Sequence, residues 1–186
     1  MSSVAIQGNA SGAGVFTIAS PNSASSYTAT LPTRTGTLGM DGPAFIAYSS
    51  AIQSITTSVY TKVAVDTETY DTNSCYDTTN YRFTPTVAGY YQVNASLRMG
   101  ATASTITQAT GVIYKNGAAA VFFGTDNVAA ATFTSNIVRS GSTLIYLNGS
   151  TDYIELWAQI QGTSPTVNGS TASNTTSFSA IFVRGA

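Results

Sequence analysis

Asp66, Glu68, Asp71 and Asp77 gather four of the chain's eight acidic residues into one short stretch. Carboxylate oxygens at that density suit a hard cation, so Asp66, Glu68 and Asp71 are the candidate ligands for calcium. The spacing is not that of a helix-loop-helix calcium site and no glycine marks a tight turn, so a solvated loop is the competing reading. Trp157 and Tyr153 offer ring faces on which a sugar could stack, with core or subunit packing as the alternative use. The one cysteine, Cys75, stands between Ser74 and Tyr76 without a basic neighbour and reads as an inert thiol. It leaves no intrachain disulfide to form. The chain contains no histidine, which excludes the Ser-His-Asp triad, the Cys-His dyad and every histidine metal site. A carboxylate-pair glycosidase is disfavoured as well, because the remaining acids are scattered. These residues point away from an enzyme, and no cofactor is expected beyond the possible calcium.

The composition fits that reading. Only 8% of the 186 residues are charged, against about a quarter in ordinary soluble domains. There are 30 Thr, 23 Ser, 16 Gly and 11 Tyr. Yet 43% of residues are hydrophobic and the mean hydropathy is +0.11, too apolar for a disordered linker. With a net charge of −1 and scattered cations there is no patch for neutralising phosphates, so no nucleic-acid partner is expected. No apolar run reaches the ~18 residues of a membrane helix, so no membrane partner is expected. The start, Met1-Ser2-Ser3-Val4, is neither basic nor followed by a long apolar segment, and no signal peptide is expected.

The elements that must position these residues are strands. β-branched and aromatic residues dominate, turn residues recur at short intervals, and no window shows helical apolar spacing. Residues 1–42 form one region, with short strand candidates around Val4–Ile6, Val15–Ile18 and Tyr27–Leu31. Its large apolar residues are too few to close a core, so it reads as an extended β arm lying on a partner surface. Val15, Phe16, Ile18, Tyr27, Leu31 and Leu38 are its candidate attachment residues. Residues 43–186 carry strand candidates at Ala44–Tyr48, Tyr60–Val65, Tyr81–Thr84, Gly89–Leu97, Thr110–Lys115, Ala119–Phe123, Thr143–Leu147, Tyr153–Gln161 and Phe178–Val183. Asn116-Gly117, Asn148-Gly149 and Asn168-Gly169 are hairpin-turn signals between them. This spacing predicts an all-β sandwich or barrel.

The faces of these strands carry the next step. Tyr90–Leu97 alternates cleanly, with Tyr91, Val93, Ala95 and Leu97 on one side. Tyr153–Ile160, Phe178–Val183 and Leu144–Leu147 are apolar on both sides. A two-layer sandwich has one inside, so a second apolar face calls for another layer or another subunit. The chain is too short for a third layer, and a homo-oligomer is the economical expectation. Tyr90, Tyr146, Tyr153, Trp157, Phe178 and Phe182 are the aromatic residues assigned to its interface or to the core.

Several pieces then occur in a familiar order. Tyr81-Arg82-Phe83-Thr84-Pro85-Thr86-Val87-Ala88-Gly89-Tyr90-Tyr91 resembles the aromatic-Pro-x-x-x-Gly-x-Tyr signature of the complement globular-head family. Gly42–Tyr48 resembles that family's first strand, and Ile113-Tyr114-Lys115-Asn116-Gly117 its Lys-Asn-Gly hairpin. Ser150–Leu156 is similar to the "Gly-Asp-x-Val-x-Leu" strand, with Thr151 in place of Gly. Phe178–Val183 is similar to the closing strand, with Ala180 in place of Gly. The resemblance spans about residues 43–186. It implies a tumour-necrosis-factor-like jelly-roll β-sandwich that assembles as a compact homotrimer, and some members of the family bind calcium. Phe16–Asn22 followed by Thr30–Leu38 resembles a β-rich segment of phage virion proteins, and no collagen-type repeat is present. The combined expectation is a homotrimeric, non-enzymatic virion protein that decorates or cements a bacteriophage capsid. Its partners would be itself and a major capsid or other virion protein. The alternative is the receptor-binding tip of a tail fibre or spike, recognising a host glycan or protein.

Overall fold

The computed structural model describes Val15, residues 42–124 and residues 135–185. The chain divides into Met1–Leu38 and Gly39–Ala186, and every element described below belongs to the second unit. Val15 is exposed. Phe16, Ile18, Tyr27, Leu31 and Leu38, with the strands expected around them, lie outside the described residues.

Thirteen strands follow one another, and no helix occurs among the described residues. They are β1 (Ala44–Tyr48), β2 (Gln53–Ser54), β3 (Thr61–Lys62), β4 (Thr67–Asp71), β5 (Tyr76–Asp77), β6 (Arg82–Phe83) and β7 (Ala88–Gly100). Then come β8 (Gln108–Lys115), β9 (Ala118–Phe123), β10 (Asn136–Asn148), β11 (Ile154–Gln161), β12 (Thr166–Val167) and β13 (Ser177–Arg184). All pairings are antiparallel. The first sheet runs β10-β7-β13-β1-β4, with β12 and β2 continuing it beside the end of β7. The second runs β5-β6-β11-β8-β9, with β3 also beside β11.

The two sheets meet through aromatic rings. Phe45 of the first sheet stacks on Tyr76 and Phe83 of the second, with centroids 4.5 and 4.6 Å apart. Phe178 packs edge-on to Phe45 at 5.3 Å, and Tyr91 packs against Phe83 at 5.6 Å. These rings are fully or nearly fully buried, and β-branched and aliphatic residues from the inward positions of β7, β8 and β11 complete the core. Tyr91 keeps its hydroxyl satisfied by donating to the Val87 carbonyl at 2.7 Å, and burial pushes its pKa up to about 12. The alternation read from β7 holds: Tyr91, Val93 and Leu97 are inside, while Tyr90 and Asn94 are exposed.

Three stretches differ from expectation. Of the strand read at Tyr60–Val65 only Thr61–Lys62 pairs, beside β11. The strand read at Thr143–Leu147 is the end of the 13-residue β10, whose first half, Asn136–Ser142, is rich in Ser and Gly. Those residues have weak strand propensity, and the continuous register from Asn136↔Gly100 to Asn148↔Ala88 holds them in place. The acidic stretch also contains strands rather than only a loop. β4 is the edge strand beside β1, and β5 pairs with β6. Charged side chains suit such an edge because they face water.

Of the three Asn-Gly signals, one makes the expected turn. Asn116 and Gly117 have φ of 53° and 79° and join β8 to β9 through a two-residue loop. Asn148 instead uses its side-chain oxygen to accept from the backbone N–H groups of Ser150, Thr151 and Asp152 at 3.0, 2.9 and 2.9 Å. Asn168-Gly169 follows β12, and neither residue has positive φ. Gly169 is required there by close approach, since a Cβ would lie 2.4 Å from the Ala51 carbonyl oxygen.

Candidate functional site

The three calcium candidates are held by different neighbours. Asp66 accepts from the Ser50 backbone at 2.8 Å, the Ser50 hydroxyl at 2.7 Å and Thr67 at 3.1 Å. Burial pushes its carboxyl up, but these bonds outweigh that and hold it below the usual carboxylate range. Glu68 is exposed on β4, and Asp71 accepts from the Tyr76 backbone N–H at 2.9 Å. Asp77 caps the turn at Thr79 and Asn80. Among the described residues no group of three or more acidic, Cys or His side chains converges on one point. The expected ligand set is therefore not brought together: Asp66, Asp71 and Asp77 are held by separate neighbours, Glu68 faces water, and the Oδ1 of Asp71 is buried without a hydrogen-bond partner. Cys75 is buried, and burial raises its thiol pKa.

The outward face of the second sheet is built around a buried charge. Glu155 is 2% exposed. Its Oε1 accepts from Arg82 Nη2 at 2.7 Å, Arg82 Nε at 3.0 Å and Lys62 Nζ at 3.0 Å. Its Oε2 accepts from the Trp157 indole N–H at 3.0 Å. Burial alone would raise this carboxyl, but the Arg82, Lys62 and Trp157 donors bring it net below its ordinary value. The Arg82 guanidinium also lies over the Tyr153 ring at 3.6 Å. Trp157 does not pair with Tyr153 as a sugar clamp would require. It stacks on Tyr114 instead, with centroids 4.4 Å apart and planes 14° from parallel. Tyr60 meets Phe122 at 6.2 Å beside them. Register places Val112 between Trp157 and Phe122, and it is fully buried although it lies outside the inter-sheet core. The chain thus covers this second apolar face with its own side chains, and β11 needs no second subunit to account for its two-sided pattern.

The outward face of the first sheet is different. Tyr146 stands opposite Tyr90, and their rings lie 5.6 Å apart. Leu144, Ile181 and Val183 continue this apolar end and are 55%, 51% and 52% exposed. A cleft of about 540 Å³ lined by Tyr90, Leu144, Val183, Arg184 and Gly185 opens there. Toward the middle the face becomes polar and uncharged. Gln92 donates to Ser142 at 2.6 Å, and Ser142 donates to Asn94 at 2.9 Å. Between Arg98 near one end and Arg184 at the other, no outward residue of β7, β10 or β13 carries a charge. Exposed apolar side chains grouped in this way mark interaction surfaces.

Of the six aromatic residues assigned from sequence, the structure puts Tyr90 and Tyr146 on this face and Tyr153 and Trp157 on the other. Phe178 is in the core, and Phe182 sits at its rim against Tyr91 at 5.5 Å.

The chain matches no protein-family model, and it matches no curated protein. Solved structures do match. The globular domain of zebrafish complement 1qA protein superposes with a TM-score of 0.52 at 13% identity, over 77% of this chain and 99% of that one. Murine APRIL at pH 5.0 gives 0.56 at 9% identity, over 77% and 100%. Eiger TNF from S. frugiperda gives 0.53 at 9% identity, over 78% and 94%. The fold is the complement-head and TNF-like jelly roll. At these identities the likeness concerns the fold.

Sequence reasoning did not single out Leu144, Ile181 and Val183 as one surface, nor Tyr114, Lys62 and Arg82 as the partners of Trp157 and Glu155. The two-sided apolar pattern was the available signal for the first group. No spacing links Glu155 to Arg82 and Lys62, which reach it across strand pairings far apart in sequence.

Proposed function

We propose that this jelly roll is the head of a non-enzymatic, homotrimeric structural protein of a bacteriophage virion, a capsid decoration or cement protein. The observation that carries self-association is the uncharged, partly apolar outward face of β7, β10 and β13. The three strands of that face, with lengths of 13, 13 and 8 residues, give roughly 550 Å² of flat area at ~3.4 Å per residue and ~4.8 Å between strands, the same order as the ~800 Å² per partner of a standard interface. The trimer comes from the family resemblance, and a cyclic trimer needs two different patches that fit each other. Leu144 and Tyr146 on the edge strand β10 and Ile181 and Val183 on β13 supply two such patches.

The virion assignment rests on the sequence resemblance of residues 16–38. In this reading the N-terminal arm adds strands to the capsid shell, the head projects outward, and three arms together give avidity. A recognition role at a fibre or spike tip is the second reading. The aromatic outward face of the second sheet favours it, with Phe122 51% exposed beside Tyr60. The test mixes purified shells lacking this protein with the full chain and with a chain beginning at Pro43. Saturable binding by the full chain alone, at a copy number set by the shell's three-fold positions, is expected. Binding of the head to host cells with no binding of either chain to shells would replace the cement reading with the recognition one.

A further inference from the structure

On the self-association reading, the polar middle of the first sheet's outward face is placed against another copy of the chain, and the donor and acceptor that meet water in the single chain then need partners. Gln92 Nε2 donates to Ser142 Oγ at 2.6 Å and also lies 3.3 Å from the Thr143 carbonyl. Ser142 Oγ in turn donates to Asn94 Oδ1 at 2.9 Å. This relay runs in one direction. It fixes the Gln92 amide with its nitrogen toward β10, and the Asn94 amide with its oxygen toward β10. What remains at one end is the Gln92 Oε1 acceptor, and at the other the Asn94 Nδ2 donor, with no partner for either among the described residues. Both residues project outward from β7, and Asn94 is exposed.

We infer that the Gln92–Ser142–Asn94 relay sets the register of the assembly, the Asn94 Nδ2 of one copy donating to the Gln92 Oε1 of the next. The occupant of this face is then a second copy, because the leftover donor and acceptor of the same chain complement each other. A polar group buried without a partner costs more than a satisfied one gains, so only registers that join the two are tolerated. The apolar end with Tyr90, Tyr146 and Leu144 provides affinity without direction, and the relay provides direction. A related use of polar residues within apolar interfaces fixes register in coiled coils.

The experiment uses the full chain and reads the concentration at which the assembly dissociates, by sedimentation and native mass spectrometry, with the melting curve recorded to follow the fold. Asn94→Asp replaces the donor with a carboxylate facing the neighbour's carbonyl oxygen and is expected to raise that concentration by at least about tenfold, the factor that corresponds to one lost hydrogen bond. Gln92→Arg alone removes the acceptor and is expected to act similarly. The double variant Asn94→Asp/Gln92→Arg supplies a new acceptor and donor and should recover to within a few-fold of the parent. Dissociation of Asn94→Asp like the parent, or a double variant no better than the singles, overturns the relay. Leu144→Lys separates the two claims: if it dissociates the assembly while Asn94→Asp does not, self-association through this face stands and the relay fails. A parent chain that is monomeric throughout removes both.

Discussion

On the second sheet the outward rings and charges have partners within the chain; on the first, the outward apolar side chains are left more than half exposed. Trp157 has Tyr114 on its face and Glu155 on its N–H, and Glu155 has Arg82 and Lys62. Leu144 and Val183 line an open cleft, and Ile181 stands exposed on the same strand as Val183. The sequence pattern of the two regions is the same: strands apolar on both sides. The difference lies in side-chain size and reach. Large rings with polar tips, beside long cations, can close over a sheet and cover Val112 by themselves. Branched aliphatic residues on a flat strand cannot reach one another far enough to exclude water. A two-sided apolar strand therefore calls for a cover, but only its neighbours decide whether the cover comes from the same chain.

If this contrast is right, the largest folding effect comes from the self-covered face. Trp157→Ala removes the stack on Tyr114, uncovers Val112 and deprives Glu155 of a donor; it is expected to cost about 3 kcal/mol of stability. Denaturant unfolding measures that loss, and the assembly mass of the folded variant should match the parent. A large loss of association with intact stability would instead assign Trp157 to a subunit contact.

A smaller effect is expected from Glu155→Gln, about 2 kcal/mol at neutral pH, since charge-assisted bonds to Arg82 and Lys62 become ordinary ones. The pH profile sharpens the point. The folded carboxyl is held below its unfolded value, so its stabilisation is complete above the ordinary Glu pKa of about 4.3 and disappears as pH falls through the lowered folded value. Unfolding midpoints taken from pH 7 down to pH 3 should show the parent losing its advantage over the Gln variant in the acid range. A difference that stays constant across that range would place the stabilisation elsewhere.

The smallest folding effect belongs to the open face. Leu144→Lys is expected to change stability by less than about 0.5 kcal/mol, because the side chain already meets water. Its effect should fall on assembly instead, as a shift to smaller species in sedimentation at fixed concentration. A destabilised monomer with unchanged assembly would reverse the assignment of the two faces.

Much of this architecture was legible beforehand. The extent of β1 follows the sequence reading residue for residue, and the inward set of β7 was read correctly from its alternation. Period-two patterning is local, so neighbouring residues carry it. β10 was read short because the Ser140-Gly141-Ser142 break interrupts its propensity, and the strand is held there by β7. The acidic stretch was read as a calcium site or a solvated loop, and nearness in sequence could not tell whether its carboxylates converge in space. In an edge strand and its flanking turns, side chains three to five residues apart point to different surroundings, and Asp66, Glu68 and Asp71 went to Ser50, to water and to Tyr76.

By itself the sequence determined an all-β chain with a large uncharged fraction, a single thiol and no histidine chemistry, because composition and alternation do not depend on what packs against what. Tertiary structure decided which outward faces are covered, which Asn-Gly pair turns the chain, and where Glu155 finds its cations. Those outcomes depend on pairings between residues far apart in the chain, such as Glu155↔Arg82 and Trp157↔Lys62, and no local pattern encodes a cross-strand neighbour.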